Sequence, residues 1–275
     1  ESVGSWHQFG FAVSPVGILF FDKKDAGLYL FSSQGLRDIS QGKINAWLHE
    51  NTRGIILQND GPTGGPTQAG ISSTYDYINK EFLITFFDRQ LYDESGNAIL
   101  ITIPFTLAYS DVSDIFTSFR SFGPNMYIND NKNLFTPKPF SIPSEVYIHE
   151  KGDYGVFYDN DPSTSSITTI VNKEPFITKI FDNIRWLTEV FLPNGTEVSD
   201  ETFSSIETFN PYQTTGVKTV FKRLMREWKH AIQYQIGTKN RIRSHYVRQK
   251  FEFLNNNDKE FRLHYLMNLF RKIMK

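Results

Sequence analysis

Asp22, Asp25 and Gly27 echo part of a calcium-binding loop, in which closely spaced carboxylates and a glycine turn wrap oxygen ligands round a hard cation. The third ligand and the bidentate glutamate of such a loop are missing here. Aspartate and glycine are also what a tight turn prefers, so a plain turn is the expectation. Asp159 and Asp161 carry the same two readings. The six histidines, His7, His49, His149, His230, His245 and His264, are scattered. No two stand at the i, i+2 or i, i+4 spacing that would share a metal, so they read as surface or packing residues. Asp88, Asp93 and Glu94 cluster beside a predicted strand end. Glycoside hydrolysis needs two carboxyl groups, which come together from distant positions, and any solvated loop carries such charges. There is no Gly-x-Ser-x-Gly elbow and no Ser-x-Asp-x-Gly-x-x-Trp box. Asn59 to Gly70 is rich in Gly, Pro and Thr, but it has no P-loop lysine and precedes a strand, so it is not a phosphate cradle. Asn194-Gly195-Thr196 matches a glycosylation sequon and reads as a turn. With no cysteine, the chain has no disulfide and no thiolate chemistry. The residues assign no catalytic group, no cofactor and no metal, and the chain is expected not to be an enzyme.

Charge is the stronger signal. The net value of -1 conceals a split: residues 218–275 hold 15 of the 29 Lys and Arg but only 4 of the 30 Asp and Glu. A basic segment of this kind meets nucleic acid, or an acidic surface on its own chain or a neighbouring copy.

The elements that would position these groups are short strands. Gly70 to Asp88, GISSTYDYINKEFLITFFD, places two β-prone runs around a turn at Ile78-Asn79-Lys80. Tyr75 and Tyr77 lie on one run, and Phe82, Ile84 and Phe86 on the other. Related hairpins are predicted at Val16 to Ser32, Asn125 to Thr136 and Tyr154 to Val171. Ile44, Trp47 and Leu48 stand at i, i+3, i+4 and predict a short helix within Gly35 to Glu50. Asp111 to Asp114 could start another. Further strands are predicted at Ser5 to Val13, Ala98 to Ala108 (an edge or bulge at Pro104), Ile115 to Phe122, Glu145 to Ile148, Ile177 to Leu192 and Phe203 to Phe209. Thr136 to Pro143 reads as a connector. Lys218 to Ile236 fits helical and strand spacing equally. Arg241 to Leu254 and Glu260 to Phe270 read as one long hairpin turning at Asn255 to Asp258.

With 25 Phe and 13 Tyr in 275 residues, the composition leans to sheet. Turns near residues 25, 79 and 131 are about 50 residues apart, within the range of propeller-blade repeats. The fold class is therefore all-β: antiparallel hairpins forming part of a β-propeller across 1–275, with one or two short helices and basic terminal strands over 218–275. An irregular β-sandwich with insertions is the alternative. No stretch reaches the roughly 18–20 apolar residues of a membrane-spanning helix, and ESVGSWHQF is not a signal peptide.

Several segments, in order along most of the chain, resemble the tail nozzle, or muzzle, proteins of crAss-like bacteriophages. They are SPVGILFFDKKDAGLYLFSSQGL with INAWL (Ser14 to Leu48), GISSTYDYINKEFLITFFD, DIFTSFRSFGPNMYIND (Asp114 to Asp130), FITKIFDNIRWLTEV (Phe176 to Val190), TFSSIETFNPYQTTG (Thr202 to Gly216), and VFKRLMREWKHAIQYQ followed by KNRIRSHYVRQKFEF. The resemblance implies the C-terminal part of a longer or cleaved chain, which agrees with the absence of an initiator Met. It tilts Lys218 to Ile236 towards strand. It also implies a propeller-type structural protein of the virion tail, made in the bacterial host cytoplasm. Its copies would form a homo-oligomeric ring, expected as a hexamer, in the distal tube that retains and then releases DNA or proteins. Adaptor and ring proteins, tail fibres and the N-terminal part of its own precursor are the implied partners. Lys222, Arg223, Arg226, Arg241, Arg243 and Arg248 would meet acidic neighbours or touch DNA in transit. Protein contacts are the expectation, because many cationic contacts would hold the DNA strongly. The rival reading is a glycan-binding or glycan-cleaving propeller at the host surface. Aromatics converging on an acidic cleft would mark it, whereas aromatics buried between blades favour the structural role.

Overall fold

The structure is a computed structural model that describes residues 3–5, 7, 9–52, 70–86, 89–92, 98–101, 104–120, 122–138, 145–158, 164–232, 234–256 and 258–273, with side chains described outside 89–92 and 98–101. Of the described residues 52% are in strands and 3% in helix, and the named strands pair antiparallel. The chain divides into two compact units, Glu1–Lys151 and Gly152–Lys275.

The first unit begins with a four-stranded meander, β1 (Phe11–Ser14), β2 (Gly17–Asp22), β3 (Gly27–Ser32) and β4 (Gly35–Asp38), paired in chain order. One helix follows among the described residues, α1 (Asn45–Asn51), with Leu48 fully buried and Ile44 and Trp47 packed on the core. Next come β5 (Ile71–Asp76), β6 (Glu81–Phe86), the separate hairpin β7 (Arg89–Tyr92) with β8 (Ala98–Ile101), then β9 (Phe105–Ser110) and β10 (Ile115–Arg120). The second sheet has the order β10-β9-β6-β5. A small sheet of β11 (Ile128–Asn129), β12 (Leu134–Pro137) and β13 (Val146–Ile148) completes the unit.

Alternation along these strands aims Leu19, Phe21, Leu28 and Leu30 of the first sheet at one core shared with Ile71, Phe82, Ile84, Phe86 and Leu107 of the second. Phe21 meets Phe86 edge-on at 5.1 Å. Every residue of β6 is buried. Its other face bonds Thr85 to Thr106 (2.7 Å) and to Tyr127 (2.6 Å). A common device closes three hairpins. Asp22, Asp76 and Asp130 each use one carboxylate oxygen to accept backbone N–H groups two and three residues on. Ala26, Lys80 and Asn131 supply the left-handed residue of each turn.

The second unit is built from two sheets facing each other. One has the order β14 (Thr164–Val171), β20 (Val247–Leu254), β16 (Ser205–Phe209). The other is centred on β15 (Lys179–Phe191). On one side β15 pairs with β18 (Glu227–Ala231), itself paired with β17 (Lys222–Leu224), and with β19 (Arg243–Ser244). On its other side lies β21 (Glu260–Lys272). Ile184, Trp186 and Val190 from β15 share a core with Phe203, which precedes β16, and with Ile206, Phe251 and Phe253 of the β14-β20-β16 sheet. The Trp186 indole N–H donates to Thr202 (2.7 Å).

Five local expectations change. The Arg241-to-Phe270 hairpin does not form: β20 pairs with β14 and β16, whereas β21 pairs with β15. Both strands aim apolar residues at the same core, so they meet face to face, with Phe253 stacked on Phe261 at 4.3 Å. Tyr154 to Tyr158 is not a strand, because Gly155 and Tyr158 have positive φ, which breaks extended structure; β14 pairs with β20 instead. Asp111 to Asp114 is a turn rather than a helix, and ends on Asp114 at φ 55°. Pro104, which has no N–H for a ladder, precedes β9, and Thr136 and Pro137 belong to β12 rather than to a connector. Within Lys218 to Ile236 the described residues hold no helix; β17 and β18 form a hairpin that turns at Met225 and Arg226.

Candidate functional site

The basic residues singled out above all lie on the second unit, and all six are exposed. Lys222 and Arg223 sit on β17, Arg226 in the turn to β18, Arg243 on β19 and Arg248 on β20; Arg241 lies just before β19. The structure does not gather them into one site, because β20 belongs to the opposite sheet. Arg241 is already engaged. It pairs with Asp182 (3.2 Å) and lies over the Tyr234 ring (5.3 Å), while Arg271 holds the same carboxylate at 2.8 Å. Arg223 lies over Trp228. Among the described residues Lys222, Arg226, Arg243 and Arg248 make no ion pair.

Topology adds two residues that spacing did not reveal. Register places Lys222 opposite Lys229, and Lys229 opposite Arg185, so three cations stand in one cross-strand row. Neighbouring strand residues of like charge repel. Among the described residues Glu227 alone sits near enough to Arg185 (3.9 Å) to offset the row. Arg185 and Lys229 are separated by 44 positions along the sequence, and no local pattern links them.

The candidate chemical groups are occupied in packing. Asp22 spends one oxygen on its turn, and its other oxygen accepts the Gly4 N–H (2.8 Å). Among the described residues no group of three or more His, Asp or Glu is placed to hold a metal. Burial lowers the affinity of His7, His149 and His230 for protons, His7 to about 4 with help from Lys23. His149 bonds Thr136 (2.7 Å) and packs on Phe122. An open pocket beside Arg241, lined by Asp182, Lys218, Tyr234 and Gln235, has its carboxylate held by two arginines. Asn194 closes a turn by accepting the Thr196 N–H (2.9 Å). Asp88, Asp93, Glu94, Asp159 and Asp161, and the loop over 59–69, lie outside the described residues. No helix among the described residues is long and apolar enough to cross a membrane.

This is an antiparallel β protein whose aromatic side chains fill its cores and whose surface offers exposed cations and strand edges. Compared with known families, residues 1–139 match the Crassvirus muzzle protein and residues 152–265 match the Crassvirus muzzle protein C-terminal domain. The boundary between the two matches falls where the two compact units divide. No curated protein matches the chain. The chain belongs to the Crassvirus muzzle protein family, and is a structural component of the phage virion that assembles with other tail components.

Proposed function

We propose that copies of this chain form a closed nozzle ring, a hexamer, in the distal tail tube, where it retains the genome and ejected proteins and then lets them leave. The ring docks on the adaptor and ring proteins above it and supports the tail fibres around it; DNA touches it only in transit. The role is structural and not catalytic. The observation that carries the reading is the ordered pair of family matches spanning both units. The first unit has two four-stranded antiparallel sheets, the strand number and pairing that a propeller blade requires, which supports a propeller-type arrangement in the assembled protein. The aromatics add support: Phe82, Phe86, Tyr109, Trp186 and Phe251 are fully buried between sheets, where they pack rather than bind sugars.

Cryo-electron microscopy of purified virions tests the ring. Density for both units repeated six-fold at the distal end of the tail is expected. Virions that assemble and hold DNA without this chain would refute it.

A further inference from the structure

The three-stranded sheet of the second unit has two unlike edges. One is β14, Thr-Ser-Ser-Ile-Thr-Thr-Ile-Val, eight residues without a charge, a proline or a glycine. Sheet edges in folded proteins are normally blunted by charge, proline, bulges or short length, because every second residue offers its N–H and C=O to any passing strand. Other edge strands of the unit follow that rule. β17 is three residues long with two cations, and β21 carries Arg262, His264, Arg271 and Lys272. β14 alone lacks such protection among these.

Its side chains point the same way. Ile167 pairs in register with Phe251, so both face the core, yet Phe251 is fully buried while Ile167 is 41% exposed. The apolar face therefore runs on past the last strand beneath it. Ile170, on the other face, is 62% exposed.

The opposite edge is the segment after β16. Lys218 and Ile206 exchange backbone hydrogen bonds, each 2.8 Å. In an antiparallel bridge the flanking residues turn their backbone groups away from the partner, so Val217 and Thr219 present theirs outward. Val217 and Val220 are 62% and 81% exposed. β14 offers eight uncharged residues, whereas the other edge offers the uncharged, β-branched Val217, Thr219 and Val220 around a single charge, Lys218.

We propose that β14 of one copy receives the Val217–Val220 segment of a second copy as an added strand, so that the sheet continues from subunit to subunit. The two edges differ, so the contact is heterologous and closes into a ring when its rotation allows. This rests on the ring reading above and names the surface that would make it.

Because the chain has no cysteine, disulfide trapping is free of background. Single variants Ser166→Cys, Thr168→Cys and Ile170→Cys are each mixed with Val217→Cys or Thr219→Cys, oxidised, and read by non-reducing electrophoresis and mass spectrometry. At least one mixed pair is expected to give a disulfide-linked dimer, while the β14 variants alone do not. In native mass spectrometry Thr168→Lys, checked for native circular dichroism, is expected to weaken wild-type oligomers at least tenfold. A dimer from Thr168→Cys alone (two-fold self-pairing), the absence of every mixed dimer, or a wild-type chain that stays monomeric overturns the proposal. The ring reading fails separately. Mixed dimers with no ring in virions leave the strand contact standing, whereas a ring in virions with no mixed dimer leaves the ring and removes this surface.

Discussion

Replacing His7 with leucine should flatten the acid sensitivity of the first unit. The His7 side chain is 3% exposed, and neither ring nitrogen has a hydrogen-bond partner among the described residues. Burial and the nearby Lys23 depress its pKa from 6.5 to about 4. The unfolded chain therefore binds a proton at a pH where the native chain does not. A depressed folded-state pKa gives stability that is complete above the unfolded value and is lost as pH falls towards the folded one. The fall from 6.5 to about 4 corresponds to about 3 kcal/mol in all, of which about 2 kcal/mol is gone by pH 5. Carboxylates and the other histidines titrate in both proteins, so the difference between wild type and His7→Leu isolates this residue. Urea unfolding at pH 8 and pH 5, followed by tryptophan fluorescence, gives the four free energies. The wild type should lose about 2 kcal/mol more than His7→Leu between the two pH values. Parallel losses, within about 0.5 kcal/mol, would refute the reasoning and place the imidazole in contact with water. An NMR titration of the His7 ring proton offers a direct check, with a midpoint near 4 expected.

Other outcomes follow from the second unit. Trp186→Ala removes a fully buried ring packed on Phe221 at 5.3 Å, and the indole bond to Thr202; it should cost about 3–5 kcal/mol in denaturant unfolding. Lys179 is buried and its ammonium donates to the carbonyls of Lys173 (2.7 Å) and Glu174 (2.8 Å). Lys179→Met keeps the volume but takes this donor from the Lys173 carbonyl and leaves the Glu174 carbonyl only the Ile177 N–H (3.1 Å), a loss of about 1–3 kcal/mol with faster amide exchange at Glu174 to Thr178. Lys222→Glu sets an acid opposite Lys229. It should raise stability by a few tenths of a kcal/mol at low salt, an increment that disappears in about 1 M NaCl, where screening is short-ranged.

Local instructions were legible in the chain. The turns led by Asp22, Asp76 and Asp130 need only a carboxylate and a residue that tolerates positive φ, all within four or five positions. The helix at Asn45–Asn51 is likewise readable from the spacing of apolar residues, and the end of the 13-residue strand β15 from the turn residues Pro193-Asn194-Gly195 that follow it. Lys218 to Ile236 was undecided by spacing, because its apolar residues serve a 3.6-residue and a 2-residue period equally; pairing of β18 with β15 settles it as strand.

Long-range pairing is a different matter. Alternation tells which side of β20 and β21 is apolar, but two strands with like faces can lie side by side in one sheet or opposite each other in two. The turn at Asn255 to Asp258 serves both, and only the prior claim of β15 on β21, and of β14 and β16 on β20, decides between them. The candidate site divides in the same way. Composition marks residues 218–275 as basic. Which cations are neutralised depends on Asp182 reaching Arg241 and Arg271, and which ones are set against each other depends on the register of Lys222, Lys229 and Arg185. Short-range propensity and period are properties of a segment; charge compensation and edge exposure are properties of what the folded chain puts beside it.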